Sequence, residues 1–224
     1  MTARKLIIAI DGPAGAGKST VARHLATRFG LLNMETGAMY RAFARKAIDQ
    51  GVNPDDAEAL AALARGTAIE LEPTPAGNRV LLDGQDVTAT LRDPQVTQAA
   101  SHVSVHPPIR NWMVGLQRAM GQQGGVVMEG RDIGTVVFPD ADLKFFLDAS
   151  PEARSHRRYL ETPQAAATHA ALHEELRKRD ERDRNRAESP LRPAPDAIVI
   201  DSTGMTLDEM LRTIEQMVAA RMLA

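Results

Sequence analysis

The stretch Gly12-Pro13-Ala14-Gly15-Ala16-Gly17-Lys18-Ser19 decides the fold of this chain. It follows the apolar run 6–10, and it precedes a segment in which Val21, Leu25 and Phe29 recur at helical spacing. Strand, glycine loop and helix in this order are the context that a GxxxxGK[ST] motif needs in order to bind phosphate. The sequence therefore predicts a phosphate-binding loop. The alternative is a glycine-rich turn that binds nothing.

Each part of this motif has a physical role in holding phosphate. The glycines let backbone N–H groups point at phosphate oxygens, and the helix N-terminus adds about half a positive charge in the same direction. Lys18 can reach the β and γ phosphates of a nucleotide. The hydroxyl of Ser19 can coordinate a magnesium ion.

Length, charge and composition narrow the classes of protein. With 224 residues the chain suits one domain of ordinary size, or one domain with smaller insertions. The net charge of −2 favours neither nucleic acid nor an anionic membrane as a partner. The sequence has no cysteine, which excludes disulfides, thiolate zinc sites and cysteine nucleophiles. The first apolar run ends at Asp11, too early for a secretory signal, so a soluble, cytoplasmic protein is expected.

The apolar segments predict an α/β fold. Short apolar runs at 6–10, 31–34, 126–128, 144–147 and 197–200 are separated mostly by helical patterns. This alternation predicts a P-loop, doubly wound, five-stranded parallel sheet that is covered on both faces. In residues 67–90 apolar residues such as Ile69 and Leu71 alternate with polar ones, which is typical of β-strands. This segment therefore predicts a small inserted antiparallel meander. The pattern Thr206-x-x-Glu209 predicts a capping box at the start of the last helix.

Polar residues follow the predicted strands, where a doubly wound sheet binds its ligands. The residues in these positions are Thr36, Arg41, Glu129, Arg131, Asp132, Asp148 and Asp201. We interpret Arg131-Asp132 as functional, because a glycine-flanked Arg-Asp pair after a buried strand has little structural purpose. For Asp148 and Asp201 we favour a structural role in the turns.

A second charged segment covers residues 177–186. On a helix, Arg179, Asp183 and Arg186 share one face. Such a run is most often a solvated helix with internal salt bridges. A nucleic-acid-binding helix is disfavoured because the interleaved acids repel phosphate. The third possibility is a mobile lid that brings arginines to transferring phosphates.

Together these motifs resemble the bacterial cytidylate kinases, which belong to the nucleoside monophosphate kinases. The similar segments are GPAGAGK at 12–18, TGAMYR at 36–41, GRDIGTVVFPDA at 130–141, FLDAS at 146–150 and RDERDRNR at 179–186. The insertion at 67–90 falls where this family has an extended monophosphate-binding domain. The resemblance implies a core of residues 1–35, 105–156 and 188–224, a monophosphate-binding domain of residues 36–104, and a lid of residues 157–187.

The resemblance also implies a reaction and a set of site residues. The γ-phosphoryl group of ATP, with Mg²⁺ on Ser19, would pass to CMP or dCMP. Independently of the resemblance, the sequence has no apolar surface stripe that argues for more than a monomer, so a monomer is expected. The implied ATP-binding residues are Gly12, Pro13, Ala14, Gly15, Ala16, Gly17, Lys18, Ser19, Thr20 and Arg157. The implied CMP-binding residues are Thr36, Tyr40, Arg41, Ser101, Arg110, Arg131, Asp132, Arg179, Asp183 and Arg186. Of these, Ser101, Arg110 and Asp132 match cytosine-reading positions, and Arg179 and Asp183 match ribose positions. Lys18, Arg131, Asp132 and Arg186 would be catalytic.

The chain departs from the family pattern at a few positions. Glu35-Thr36 stands where Asp-Ser is expected, and Glu129 stands where Asp is expected. The segment between Arg158 and Arg177 is somewhat short, and it has Thr-Pro-Gln-Ala-Ala-Ala in place of the usual Lys-Gly. The sequence leaves open whether Asp11, Glu129 or Asp132 orients the water shell of the metal.

Two alternative functions remain. One is another nucleoside monophosphate kinase, acting on UMP or AMP. The other is a GTPase-type switch protein, which is disfavoured because the sequence lacks Asn-Lys-x-Asp. Asp201-Ser202-Thr203-Gly204 fits the DxxG motif of that class only by spacing.

Overall fold

A computed structural model describes residues 5–74, 77–161 and 168–223. The six-residue stretch that replaces Lys-Gly, 162–167, lies outside the described residues. The chain forms two compact units. The first contains residues 1–31 and 124–224, and the second contains residues 32–123.

Strands and helices alternate along most of the chain. The strands are β1 (Ile7–Asp11), β2 (Leu32–Glu35), β3 (Ile69–Thr74), β4 (Gly77–Leu82), β5 (Gln85–Asp86), β6 (Val126–Gly130), β7 (Leu143–Asp148) and β8 (Ile198–Asp201). The helices are α1 (Lys18–Phe29), α2 (Thr36–Asp49), α3 (Ala57–Arg65), α4 (Pro94–Val103), α5 (Pro107–Gly121), α6 (Pro151–Glu161), α7 (His169–Asn185) and α8 (Leu207–Leu223). A 3₁₀ turn covers Thr88–Thr90, and one turn of π-helix covers Ile133–Val137.

Five of the described strands form the main sheet, in the order β2-β6-β1-β7-β8. Strand β1 pairs in parallel with β6 on one side and with β7 on the other. In this register Asp11 lies opposite Gly130 and opposite Phe146. The phosphate loop and the segment after Gly130 therefore leave the sheet at the same edge. This arrangement confirms the predicted α/β fold with a five-stranded parallel sheet.

The core of the first unit lies between its strands and the helices that cover them. Ile8 and Ile10 of β1 are fully buried, as are Leu25 of α1 and Ile214 of α8. All four belong to one hydrophobic cluster. Ala9, whose side chain lies on the opposite face of β1, is also fully buried, as expected for a parallel sheet that is covered on both faces.

The second unit has a separate core, formed by α2 to α5 and a small sheet. The rings of Phe43 and Trp112 contact each other with their centroids 5.1 Å apart. The small sheet has the antiparallel order β3-β4-β5, with Ile69 opposite Leu82. The predicted meander is therefore confirmed. Helix α5 lies in this unit, whereas the predicted division assigned residues 105–156 to the core domain.

The structure also confirms the capping box of α8. The backbone N–H of Thr206 donates to Glu209 Oε2 at 2.8 Å, and the N–H of Glu209 donates to Thr206 Oγ1 at 3.3 Å. None of the helices within residues 5–74, 77–161 and 168–223 is both long and apolar enough to cross a membrane.

Candidate active site

The phosphate loop joins β1 to α1 and depends on glycine at its first turn. Gly12 has φ of +145°, and a Cβ atom there would lie 2.0 Å from the carbonyl oxygen of Leu147. No other residue fits this close approach of two backbones. Lys18 Nζ donates to the carbonyl oxygen of Pro13 at 2.7 Å, which closes the loop on itself. Helix α1 begins after Gly17 without a side-chain cap, so its first-turn amides are available for an anion.

Positive charge gathers around Lys18. Burial and the neighbouring Arg131 guanidinium lower the pKa of Lys18 to about 7, although Glu129 opposes this shift. Arg179 also lowers it. A buried lysine with two arginines near it favours an anionic ligand, because such a ligand would restore the full charge of the lysine.

Ser19 and Glu129 form the pair of oxygen donors that suits a divalent cation. Ser19 Oγ donates to Glu129 Oε1 at 2.5 Å. Glu129 lies on β6 and is buried. Hydroxyl and carboxylate oxygens are the ligands that Mg²⁺ prefers, so these residues fit the predicted metal.

Asp11, one of the three acids considered for the water shell of the metal, contacts the backbone that follows β6. Its two carboxylate oxygens accept the backbone N–H groups of Ile133 at 2.8 Å and Gly134 at 2.7 Å. Burial raises the pKa of Asp11 to about 7, although the two N–H groups oppose the shift. Asp11 therefore holds the π-helical turn that directly follows Arg131 and Asp132, and through it the position of both residues.

Arg131, Asp183 and Arg186 form a cluster of buried charge in the first unit. Arg131 Nε donates to Asp183 Oδ2 at 2.9 Å. Arg186 lies 3.9 Å from Asp183 Oδ1 and 3.9 Å from Asp132 Oδ1. Burial opposes the charge of Asp183, but Arg131, Arg179 and Arg186 together lower its pKa. The structure therefore brings Arg131, Asp132, Asp183 and Arg186 close together in the first unit.

One detail of that prediction is wrong. Helix α7 ends at Asn185, so Arg186 lies one residue beyond the helix and not on its face. It still lies 3.9 Å from Asp183, and its Nε donates to the carbonyl oxygen of Ser189 at 2.5 Å.

Arg157 lies on α6 and reaches the ends of two strands. Its Nη1 donates to Ser202 Oγ at 3.1 Å, and its Nη2 donates to the carbonyl oxygen of Ser202 at 2.6 Å. Ser202 in turn donates its backbone N–H to the carbonyl oxygen of Asp148 at 2.9 Å. Arg157 is therefore tied to the carboxyl ends of β7 and β8, the edge at which β1 enters the phosphate loop.

The acids at those two strand ends have structural roles. Asp148 Oδ1 accepts the backbone N–H of Ala149 at 2.9 Å. Asp201 Oδ1 accepts both the backbone N–H of Thr203 at 2.9 Å and its hydroxyl at 2.5 Å. These are local turn contacts, in agreement with the structural interpretation of both residues.

The remaining predicted residues lie in the second unit. Glu35 and Arg41 form an ion pair at the start of α2. Thr36, which follows Glu35 in the sequence, is buried. The guanidinium of Arg110 lies 5.8 Å from the ring centre of Tyr40, and its Nη1 donates to the carbonyl oxygen of Ser104 at 3.1 Å. Ser101 Oγ is buried and has no hydrogen-bond partner among the described residues.

The sequence analysis did not single out Arg154, although it is only 1% exposed. It lies on α6 close to Arg157 and Arg158, and the pattern of a short charged helix does not distinguish its buried arginine from its exposed ones. The only sequence signal is its position one helical turn before Arg158.

Comparisons with known proteins show the family to which the chain belongs. Residues 8–220 match the family model described as cytidylate kinase. The cytidylate kinase of Symbiobacterium thermophilum is 50% identical over 214 residues, which are 94% of this chain and 95% of that protein. The cytidylate kinase of Geobacillus kaustophilus is 47% identical over 220 residues, or 97% of this chain and 98% of that protein.

A solved structure supports the fold alone. A crystal structure of an uncharacterized protein from Eubacterium ventriosum covers 96% of this chain and 98% of its own, with a TM-score of 0.50 and 12% identity. The match to the family model spans nearly the whole chain, from β1 to α8. The chain is a member of the cytidylate kinase family.

Proposed function

We propose that this protein transfers the γ-phosphoryl group of ATP to CMP or dCMP, giving ADP and CDP or dCDP. The observation that carries the proposal is the phosphate loop, which Lys18 closes on the carbonyl oxygen of Pro13 and which leads into the uncapped N-terminus of α1. Burial lowers the pKa of Lys18 to about 7, with Arg131 and Arg179 adding to the shift and Glu129 opposing it, and the full charge of Lys18 would be restored by a highly charged anion. A nucleoside triphosphate at a phosphate loop supplies one.

The chemistry requires positioning more than covalent help. An oxygen of the CMP phosphate attacks the γ-phosphorus of ATP, and the bond from that phosphorus to the β,γ-bridging oxygen breaks, leaving ADP. Lys18 and the loop amides hold the β and γ phosphates. Arg131 and Arg186 neutralise the charge that spreads over the transferred group. Arg157 binds on the ATP side.

The metal of this reaction would be held by Ser19, with Glu129 next to it. Glu129 accepts the hydroxyl proton of Ser19 in the structure, so the same two oxygens can turn to a cation or its water shell. When bound there, Mg²⁺ would neutralise part of the charge of the phosphates. Since Asp11 has both oxygens on backbone amides, Glu129 is the better candidate for orienting the water shell.

Three sets of residues are proposed to bind the phosphate, the ribose and the base of the acceptor nucleotide. Thr36 and Arg41 are proposed to bind the CMP phosphate with Arg131 and Arg186. Arg179 and Asp183 are proposed to bind the ribose, and Ser101, Arg110 and Asp132 to read the base, with the Tyr40 ring packed against Arg110. The buried hydroxyl of Ser101 supports this assignment, because a buried polar group without a partner is costly unless a ligand satisfies it.

A coupled assay of ATP against CMP, dCMP, UMP and AMP tests the function. An ionised Asp132 can accept the amino group of cytosine, but it opposes the carbonyl oxygen of uracil. This mismatch costs about 1–3 kcal/mol, so kcat/KM for CMP should exceed that for UMP by about 10- to 100-fold. Equal rates for UMP and CMP would remove Asp132 from base reading. Preference for UMP or AMP would support one of the alternative kinases, and hydrolysis of GTP without an acceptor would support the switch protein.

We further propose a monomer in the cytoplasm, with residues 157–187 acting as a lid over the nucleotides. Light scattering after size exclusion, with and without both nucleotides, tests the monomer. A stable dimer would overturn that part of the proposal without affecting the reaction.

A further inference from the structure

Arg154 is a fully buried cation whose donors reach three different parts of the first unit. Its Nε donates to the carbonyl oxygen of Ala149, after β7, at 2.9 Å. Its Nη1 donates to the carbonyl oxygen of Ala14, in the phosphate loop, at 3.0 Å. Its Nη2 lies 2.6 Å from Asp180 Oδ2, on α7. One guanidinium therefore links the phosphate loop to the charged helix.

The contact with the loop has a direct consequence for phosphate binding. In a planar trans peptide the carbonyl group and the following N–H point in opposite directions. When Arg154 holds the Ala14 carbonyl, it therefore also fixes the direction of the Gly15 N–H. A Cβ atom on Gly15 would lie 3.1 Å from Arg154 Cβ, so the loop packs directly on this residue.

The contact with α7 is not explained by stability alone. Asp180 is buried, and its second oxygen, Oδ1, has no hydrogen-bond partner among the described residues. A half-satisfied buried carboxylate is an expensive way to hold a helix. Three residues further on, the same helix carries Asp183, which binds Arg131. Asp180 and Asp183 thus dock one face of α7 on two arginines that serve the phosphates.

We propose that Arg154 is a positioning residue for the phosphate loop, and that Asp180 holds Arg154 in place so that ATP binding depends on the docking of α7. This inference rests on the proposed function, since it assumes that the loop binds ATP. Neither residue needs to touch the nucleotide. Arg154 acts through the Ala14 peptide, and Asp180 acts through Arg154.

Two substitutions test the proposal, and each preserves the size of the side chain approximately. Asp180→Asn removes the charge, and Arg154→Lys keeps the charge but cannot reach three acceptors at once. The dissociation constant of ATP, measured by calorimetry without CMP, should rise about tenfold in each variant, as expected when a charged hydrogen bond is lost. The loss of ATP affinity in the double variant should be no greater than the larger of the two single losses, because the two residues act as one unit.

The control is Glu181→Gln on the exposed side of the same helix, where Glu181 pairs with the exposed Arg177 at 3.4 Å. It should leave both ATP affinity and kcat unchanged. In the two test variants, KM for ATP should rise more than KM for CMP, whereas general damage to the fold would lower kcat with both substrates. If Asp180→Asn lacks a cooperative thermal transition, that variant is not folded and its ATP affinity is not used. The proposal is then tested with Arg154→Lys and with hydrogen exchange of the parent protein.

Hydrogen exchange provides the second measurement. ATP alone should slow amide exchange in α7 of the parent, and this protection should disappear in Arg154→Lys. ATP affinity within twofold of the parent in the folded variants, or losses that multiply in the double variant, would overturn the proposal. So would unchanged protection of α7 in Arg154→Lys. A parent that binds ATP but does not phosphorylate CMP would instead overturn the proposed function and leave this coupling standing.

Discussion

At the scale of single residues, buried charge is the main feature of this protein. Two acids on α7 each pair with an arginine from elsewhere in the first unit. Asp183 pairs with Arg131, and Asp180 pairs with Arg154. Removing one partner of such a pair costs about 3–5 kcal/mol, because the other charge stays buried. Substitutions in this cluster therefore affect folding and activity together, unless they spare the close pairs.

Arg186→Ala tests the clamp on the transferred phosphate with the least damage to the fold. Its ion-pair distances are 3.9 Å, longer than the 2.9 Å contact between Arg131 and Asp183. We expect kcat to fall about 10³-fold, by analogy with arginine fingers, with some loss of stability because the hydrogen bond to Ser189 is removed. Arg131→Ala should lose as much activity and also some stability.

The matched control for Arg186→Ala is Arg177→Ala, which removes an exposed arginine from α7. Steady-state kinetics with saturating ATP and CMP provide the measurement. If Arg186→Ala kept its turnover within tenfold of the parent, Arg186 would not be a clamp.

Asp11→Asn should destabilise the protein in a pH-dependent way. The amide can accept one backbone N–H but presents its own N–H₂ to the other, which costs about 1–3 kcal/mol. Burial raises the pKa of Asp11 from 3.8 to about 7, so the folded state binds this proton more tightly than the unfolded state. The parent therefore has the full contribution of this group below about pH 4 and loses it as the pH rises to about 7.

The difference in unfolding free energy between the parent and Asp11→Asn should consequently be larger at pH 5 than at pH 8. Urea titrations at both pH values measure it. Asp201→Asn is a suitable control, because the turn contacts with Thr203 lower the pKa of that exposed carboxylate below 3.8, so its effect should be the same at pH 5 and pH 8. A difference that grows with pH for Asp11→Asn would contradict the assignment.

At the scale of elements, the ends of the helices show how local sequence is converted into structure. The N-cap residue of α1 is Gly17, which has no side chain to accept the first N–H groups of the helix, and it ends the phosphate loop. Helix α8 begins at a complete capping box and buries Met210, Ile214 and Val218. The element that binds phosphate thus leaves its N–H groups to the ligand, and the purely structural element satisfies its own.

Thr206→Ala should lower the free energy of unfolding by about 1 kcal/mol. The Glu209 N–H loses its acceptor, and the Glu209 carboxylate loses the hydroxyl that donates to it. Thr213→Ala provides a control in the same helix. The Thr213 hydroxyl only donates to the carbonyl oxygen of Glu209 at 2.8 Å, and alanine has the better helix propensity. Chemical denaturation of both variants decides the question, and equal losses would rule out a special contribution of the cap.

At the scale of the whole molecule, the chain divides its apolar residues between two cores. Phe43 belongs to the core of the second unit and Phe145 to the core of the first, and both are almost fully buried. Since each cluster contains residues of one unit only, each unit has its own source of stability. Local opening can therefore differ between them.

Phe43→Ala should raise amide exchange in α2, α4 and α5 while β1, β6 and β7 remain protected. The lost burial and the cavity cost about 3–5 kcal/mol, and this cost falls on the unit that holds the ring. Phe145→Ala is the matched substitution, and its effect should appear in the strands of the first unit. If both variants exchanged faster along the entire chain, the two cores would form a single cooperative structure.

The sequence by itself determined the strand–loop–helix unit, the five strands, the inserted meander and the capping box. These features follow from local signals, because the period of apolar residues and the positions of glycine and proline act over a few residues. The family resemblance added roles for residues far apart in the chain. It could not assign partners to them.

Only the tertiary structure decided which charged residue meets which. Asp11 binds the backbone of Ile133 and Gly134, more than 120 positions away in the chain. Arg154 reaches Ala14, and Arg186 leaves its helix before it approaches Asp132. Burial and pairing of a charge depend on the elements that pack around it, so the same arginine in a charged helix can be exposed, a clamp or a positioning residue. Packing makes that choice, because the free energy of a charge is set by its surroundings and not by its position in the sequence.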